Sequence, residues 1–258
     1  MVIDRKLWDI SSISEMEKWP CPSCKNGTLG ITKDKISDVE TGASLVDQKR
    51  PTWEPGWVRG RFSAMMKCAD CGEVVVVSGD SSVSEFGHPD DLTGEEYYDA
   101  FTVFTVKYIY PAPPIFLIPD KCSKATRREL EKAFSQFWSD TSACANNMRC
   151  AVEAIMNDLK MRKKRKTKAG KFEILTLHKR IEEFKVKNLD AGKLLLGVKW
   201  LGNGGSHTSD TSFTRSEILD GFEVLEGAID RIYVQSDQRL NMLAKRMTAK
   251  RGTPQSKT

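Results

Sequence analysis

The chain changes its hydrophobic rhythm once, near residue 119. Before that point the apolar positions come in short β-like runs separated by turns. Residues 28–32, 58–67 and 72–78 are candidate strands, the last holding the β-branched run Val74–Val77. Gly27, Gly42, Pro55-Gly56 and Gly79 punctuate them. Residues 80–98 are polar and acidic, with glycine and proline among them, and read as a linker or long loop. Residues 101–110 are aromatic and β-branched enough for one more strand, which the proline-rich segment 111–119 ends.

After Pro119 the spacing becomes three and four, the period of a helix with one apolar face. Leu130, Phe134 and Phe137 form the first stripe, and Met148, Val152, Ile155 and Leu159 the second. Ile174, Leu177, Ile181 and Phe184 form a third, and Leu194, Val198 and Leu201 a fourth. Ile218, Phe222, Leu225, Ile229 and Ile232 form the fifth and most regular, with Thr214 and Glu217 as a capping box before it. Five amphipathic helices with short joins predict a bundle.

Charge divides the chain at the same place. Residues 1–120 carry 12 Lys and Arg against 19 Asp and Glu, whereas residues 121–258 carry 28 against 16. An acidic unit followed by a basic one predicts an anionic partner for the second. No stretch of eighteen apolar residues suggests a membrane span, and the first twenty residues lack the apolar segment of a secretory signal. The expected location is therefore cytoplasmic.

Four of the seven cysteines fall in two CxxC pairs, Cys21 with Cys24 and Cys68 with Cys71. Two intervening residues let both thiolates of a pair turn onto one ion. Four thiolates would close a tetrahedral shell with no open position for water, which makes the expected zinc structural. The 43 residues between the pairs are long for a ribbon insert, and hairpins can fill them. Cys122, Cys144 and Cys150 have no partner at ligand spacing. Trp53, Trp57 and Phe62 read as core closing over the ribbon, with a stacking surface as the alternative.

Residues 160–171 (KMRKKRKTKAGK) hold eight basic residues and no acidic one. A block of like charge predicts a solvated loop between helices. Lys163, Lys164, Arg165 and Lys166 are its candidate phosphate contacts, with solubility as the plainer role. Gly202, Gly204 and Gly205 predict a helix break before His207. Asn203 and His207, four apart, would share a face if the helix continued. Arg149 and Glu153 are an i,i+4 pair on the second predicted helix, ordinarily a solvated ion pair.

The segments NNMRCAVEAIMNDL (146–159), LHKRIEEF (177–184), LLLGVKWLGNGGSHTSD (194–210) and EILDGFEVLEGAIDRIY (217–233) resemble the family known as domain of unknown function 4145. The resemblance implies a HEPN-like helical domain, one found in restriction, toxin–antitoxin and anti-phage systems. Active HEPN relatives are metal-independent ribonucleases that dimerise and carry an Arg separated by four to six residues from a following His. Here Trp200, Leu201 and Gly202 occupy those places, and the nearest upstream base is Lys199.

The expectation is thus an α+β chain. Residues 1–118 would form a zinc ribbon with an added β segment and linker, residues 119–250 an all-helical HEPN-like bundle, and residues 251–258 a disordered basic tail. Its function would be that of a nucleic-acid-associated accessory or effector module of a bacterial defence system. It would lack a complete catalytic site, favour RNA, form a homodimer and meet a defence-system partner protein. The alternatives are a ribonuclease using His207 as base with Asn203 and Arg149 or Lys199, and a structural dimerisation module.

Overall fold

A computed structural model of the protein describes residues 3–8, 19–24, 26–31, 35–89, 96–168, 170–204 and 213–249. Two compact units emerge. The first comprises Met1–Leu117, Glu131–Cys144 and Thr214–Ser216; the second comprises Ile118–Leu130, Ala145–Phe213 and Glu217–Thr258.

The first unit is built on an antiparallel sheet of β1 (Leu29–Gly30), β2 (Ile36–Glu40), β3 (Arg59–Cys68), β4 (Val74–Pro89) and β5 (Glu96–Tyr110). The order is β1-β3-β4-β5, and β2 pairs with the other half of the same β3 edge. The short helix α1 (Gly42–Asp47) joins β2 to β3, capped by Thr41, whose hydroxyl accepts from the Ser44 amide at 3.3 Å. Strand β3 alternates strictly, with Phe62, Ala64, Met66 and Cys68 inward, because successive side chains leave opposite faces. Val75, Val77, Val106 and Ile109 extend this buried face onto β4 and β5.

An aromatic cluster completes the unit. Trp8, Trp19, Phe137 and Trp138 are all nearly fully buried, with the Trp19 and Trp138 rings 4.6 Å apart. Trp19 Nε1 donates to the Leu7 carbonyl at 2.8 Å, satisfying the one polar atom of a buried indole. Phe62 is core as expected, but Trp57 is exposed and Trp53 only half-buried.

In the second unit, helices α2 (Lys124–Gln136) and α3 (Thr141–Asp158) each contribute a part. There follow a hairpin of β6 (Lys164–Lys166) and β7 (Phe172–Ile174), then α4 (Leu177–Lys185), α5 (Leu189–Gly204) and α6 (Arg215–Ile229). A π-helical turn, Asp230–Val234, closes on Gln235 at φ 58° and leads into α7 (Ser236–Ala249). Met148, Val152, Ile155, Ile181, Phe184, Val198, Ile218, Phe222, Leu225 and Ile229 are buried, as the helical stripes predict, whereas on α5 Leu195 is buried and the predicted Leu194 and Leu201 are half-buried.

These findings correct the expected fold class. The architecture is α+β, but an antiparallel curled sheet spanning 29–110 replaces the small β zinc ribbon. The expected linker is largely strand: β4 runs to Pro89 and β5 begins at Glu96, in continuous register from Ser81↔Phe104 to Pro89↔Glu96. Ladder hydrogen bonds satisfy the backbone whatever the side chains are, so a polar segment can still pair. Nor is the rest an all-helical HEPN-like bundle. The hairpin β6–β7 interrupts it, and Glu131–Cys144 belongs with the sheet. Ile174 leaves its predicted helical stripe for β7, where it is 74% exposed. The tail 251–258 lies outside the described residues.

Candidate metal centre and basic hairpin

Two knuckles bring the four cysteines together. In the first, the Cys21 amide donates to the Gly27 carbonyl at 2.8 Å and Leu29 N to the Trp19 carbonyl at 2.9 Å, folding residues 19–29 back on themselves. In the second, Cys68 N donates to Glu73 O at 2.8 Å and Gly72 N to Cys68 O at 3.1 Å. The Ala69 amide reaches Thr28 O at 3.1 Å and so ties one knuckle to the other. Gly27 has no alternative here: a Cβ would lie 2.5 Å from Cys68 Sγ.

The sulfurs of Cys21, Cys24, Cys68 and Cys71 lie within 4.8 Å of one another, with Cys21–Cys71 at 3.6 Å and Cys24–Cys68 at 3.7 Å. Four sulfurs each about 2.3 Å from a central ion stand roughly 3.8 Å apart, so the cluster has the dimensions of a tetrahedral tetrathiolate site. Backbone amides already point at the sulfurs: Ser23 N to Cys21 Sγ and Gly27 N to Cys24 Sγ, both 3.3 Å. All four are free thiols, and together they could hold a metal ion.

Electrostatics favour a cation among the sulfurs. The Cys71 amide, helped by that of Asp70, holds the Cys68 thiol down at about 7. At Cys71 the Glu73 amide pulls the same way, but desolvation and the sulfurs of Cys21, Cys68 and Cys24 together push it up to about 12. Four adjacent thiols cannot all ionise unless a positive charge sits among them.

The basic block forms the β6–β7 hairpin rather than a loop. Cross-strand pairs are Lys164↔Ile174, Arg165↔Glu173 and Lys166↔Phe172. Alternation puts Arg165 and Glu173 on one face, where they pair at 3.1 Å. Glu173 also meets Lys179 on α4, and Arg162 makes a two-pronged contact with Glu183 at 2.8 and 2.9 Å. These pairs lower the carboxyl titration of Glu173 and Glu183. The opposite face carries Lys164, Lys166, Phe172 and Ile174. Among the described residues, no carboxylate pairs with Lys163, Lys164, Lys166, Lys168 or Lys171. Of the four expected phosphate contacts, three lysines thus lack a carboxylate partner among the described residues, while Arg165 is held by Glu173. The exposed Phe172 was not foreseen; its signal is the FEI run after the basic block.

Of the predicted catalytic trio, Arg149 and Asn203 lie among the described residues. Arg149 on α3 packs against Gly202 on α5, where a Cβ would fall 2.4 Å from Arg149 Cβ and 2.6 Å from Ala145 O. Gly202 therefore permits a close helix crossing, and α5 runs past it to end at Gly204. The Arg149 guanidinium donates to Asn146 Oδ1 at 3.3 Å, not to Glu153. Asn203 is the next residue of α5 and half-buried, and His207 lies outside the described residues. Lys199 is buried with its ammonium 3.2 Å from the centroid of the Trp200 ring, so its charge is already engaged.

No helix among the described residues is long and apolar enough to cross a membrane. No curated protein and no solved structure matches the chain. Residues 11–109 match a family described as a domain of unknown function, DUF8608. Residues 131–250 match a second, the domain of unknown function DUF4145, and the resemblance read from residues 146–233 falls within that match.

Proposed function

We propose that the chain is a nucleic-acid-associated accessory module in which the cysteine cluster holds a structural zinc. The observation that carries the reading is the one-sided neutralisation of the β6–β7 hairpin. Glu173 and Glu183 quench the α4-facing cations, while the lysines around them keep their charge for an outside anion. Zinc suits four thiolates because it is borderline-soft, tolerates a closed tetrahedral shell and undergoes no redox change. Bound there, it would stabilise the knuckles and supply no reaction chemistry. Titrating RNA and duplex DNA against the full chain across a salt series tests the reading; failure to bind either would sink it.

Self-association belongs to the same proposal. Leu240, Leu243 and Met247 on α7 are exposed at the spacing of one helical face, a surface suited to a second copy. The setting suggested by the 4145 resemblance is a bacterial defence system with a partner protein. A second reading, a metal-independent ribonuclease, is favoured by one observation: Arg149 packs on Gly202, the residue before Asn203, at the crossing of α3 and α5. Its test is RNA cleavage by wild type against His207→Ala, and equal cleavage or none by both proteins removes it.

A further inference from the structure

The exposed face of the β6–β7 hairpin has a composition that phosphate contact alone does not explain. Phe172 and Ile174 are each 74% exposed, directly opposite Lys166 and Lys164. Directly paired residues place their Cβ atoms about 5 Å apart on one face. A cation therefore flanks each apolar side chain, and Arg165 and Glu173 between them point away. We infer that this face binds single-stranded nucleic acid, with Phe172 stacking on an unpaired base while Lys164 and Lys166 contact successive phosphates. The inference rests on the nucleic-acid reading above and adds the strand class and the stacking residue.

Geometry supports the assignment. Lys164 and Lys166 lie two residues apart on one strand, about 6.6 Å at 3.3 Å per residue, comparable to the phosphate repeat of an extended single strand. Base faces stack on aromatic rings whatever the sequence, but only when they are out of a duplex. Against a duplex, Phe172 and Ile174 would face charged phosphates or base edges that need hydrogen-bonding partners, and they have none to offer. The hairpin is also held in place. Arg162 and Arg165 reach Glu183 on α4, and Glu173 meets Lys179, so the face is presented by a fixed ribbon.

An anionic membrane surface is the competing occupant. Phe172 lies at the loop end of β7, and the turn beyond it carries Lys168 and Lys171. Those ammonium groups would stay at the headgroups if Phe172 entered the interface, so anionic vesicles form a separate arm of the test.

The test uses the full chain and labelled pyrimidine oligonucleotides: single-stranded RNA and DNA, the matching duplex, and vesicles of anionic phospholipid. Single strands should bind more tightly than the duplex. Phe172→Ala should weaken single-strand binding about tenfold with an unchanged salt slope, as removal of one base stack requires. Phe172→Trp should keep or improve it. Lys166→Ser should instead reduce the salt slope by about 0.7, the signature of one fewer phosphate neutralised on a single strand. Duplex binding as tight as single-strand binding, or a Phe172→Ala protein indistinguishable from wild type, overturns the inference while leaving nucleic-acid binding intact. Binding to vesicles but to no oligonucleotide overturns both.

Discussion

Tyr233 donates its hydroxyl to Asp158 Oδ2 at 2.8 Å, fastening the π-helical turn after α6 to the end of α3 across 75 residues of chain. The same oxygen accepts from Thr126 Oγ1 at 2.8 Å and from the Ser123 amide at 3.3 Å, so one carboxylate gathers three segments of the second unit. Burial alone would raise the Asp158 titration, but the Ser123, Tyr233 and Thr126 hydrogen bonds outweigh it and hold it below the usual carboxylate value. Tyr233, shielded from water and facing that carboxylate, is pushed upward.

Tyr233→Phe removes a hydrogen bond to a charged acceptor and should cost about 1.5–3 kcal/mol. Urea unfolding should show a lower midpoint with an unchanged slope, since the ring and its packing remain.

The pH dependence of this link has a definite sign. A carboxyl depressed in the folded state stabilises above its unfolded value, about 3.9, and loses that contribution as pH falls through the folded value. The stability gap between wild type and Asp158→Asn should therefore be widest above about pH 5 and narrow on acidification. The raised Tyr233 gives a second limb, its contribution falling as pH rises beyond about 10. Unfolding midpoints measured from pH 3 to 10.5 read both.

Purified protein should contain about one zinc per chain by elemental analysis. Cys68→Ser should abolish it and disorder the knuckles while the helical circular dichroism largely persists, because the second unit has its own apolar core.

Filling the crossing of α3 and α5 should be harmful. Gly202→Leu forces a side chain into space already held by Arg149 and the Ala145 carbonyl, and should destabilise by about 1–3 kcal/mol or more. Gly197→Ala is the control, since a Cβ there meets only Val224, at 3.9 Å.

Replacing Lys163, Lys164 and Lys166 together by serine should flatten the salt dependence of RNA binding by about two, at roughly 0.7 for each phosphate no longer neutralised. Arg165→Ser should do much less to the slope, because Glu173 already neutralises that guanidinium. Equal effects from the two variants would mean that the ion pair opens on binding.

What could be read in advance was whatever is encoded locally. The ligand set Cys21, Cys24, Cys68 and Cys71 follows from two short spacings, and the inward face of α6 from unbroken periodicity over Ile218–Ile229. The misread segments depend on partners distant in sequence. Residues 80–89 look like a loop until they are paired with 96–105, since among the described side chains of that arm only Ser81 is buried and no apolar alternation is needed. Lys164–Lys166 looks unfoldable until Glu173 and Glu183 arrive from 8 and about 20 residues on. Gly202 resembles a helix breaker because the side chain that needs its missing Cβ, Arg149, belongs to another helix.

The indole of Trp19 lies against those of Trp8 and Trp138, and its own carbonyl closes the knuckle that Cys21 enters two residues later. Loss of a metal held there would therefore reach the rings through a few bonds of backbone. If the knuckle opens, water reaches indoles that are otherwise almost fully buried, and their emission moves to longer wavelength. The protein thus carries an intrinsic optical gauge of its cysteine site. Chelation and reloading can be followed by tryptophan fluorescence without any added label.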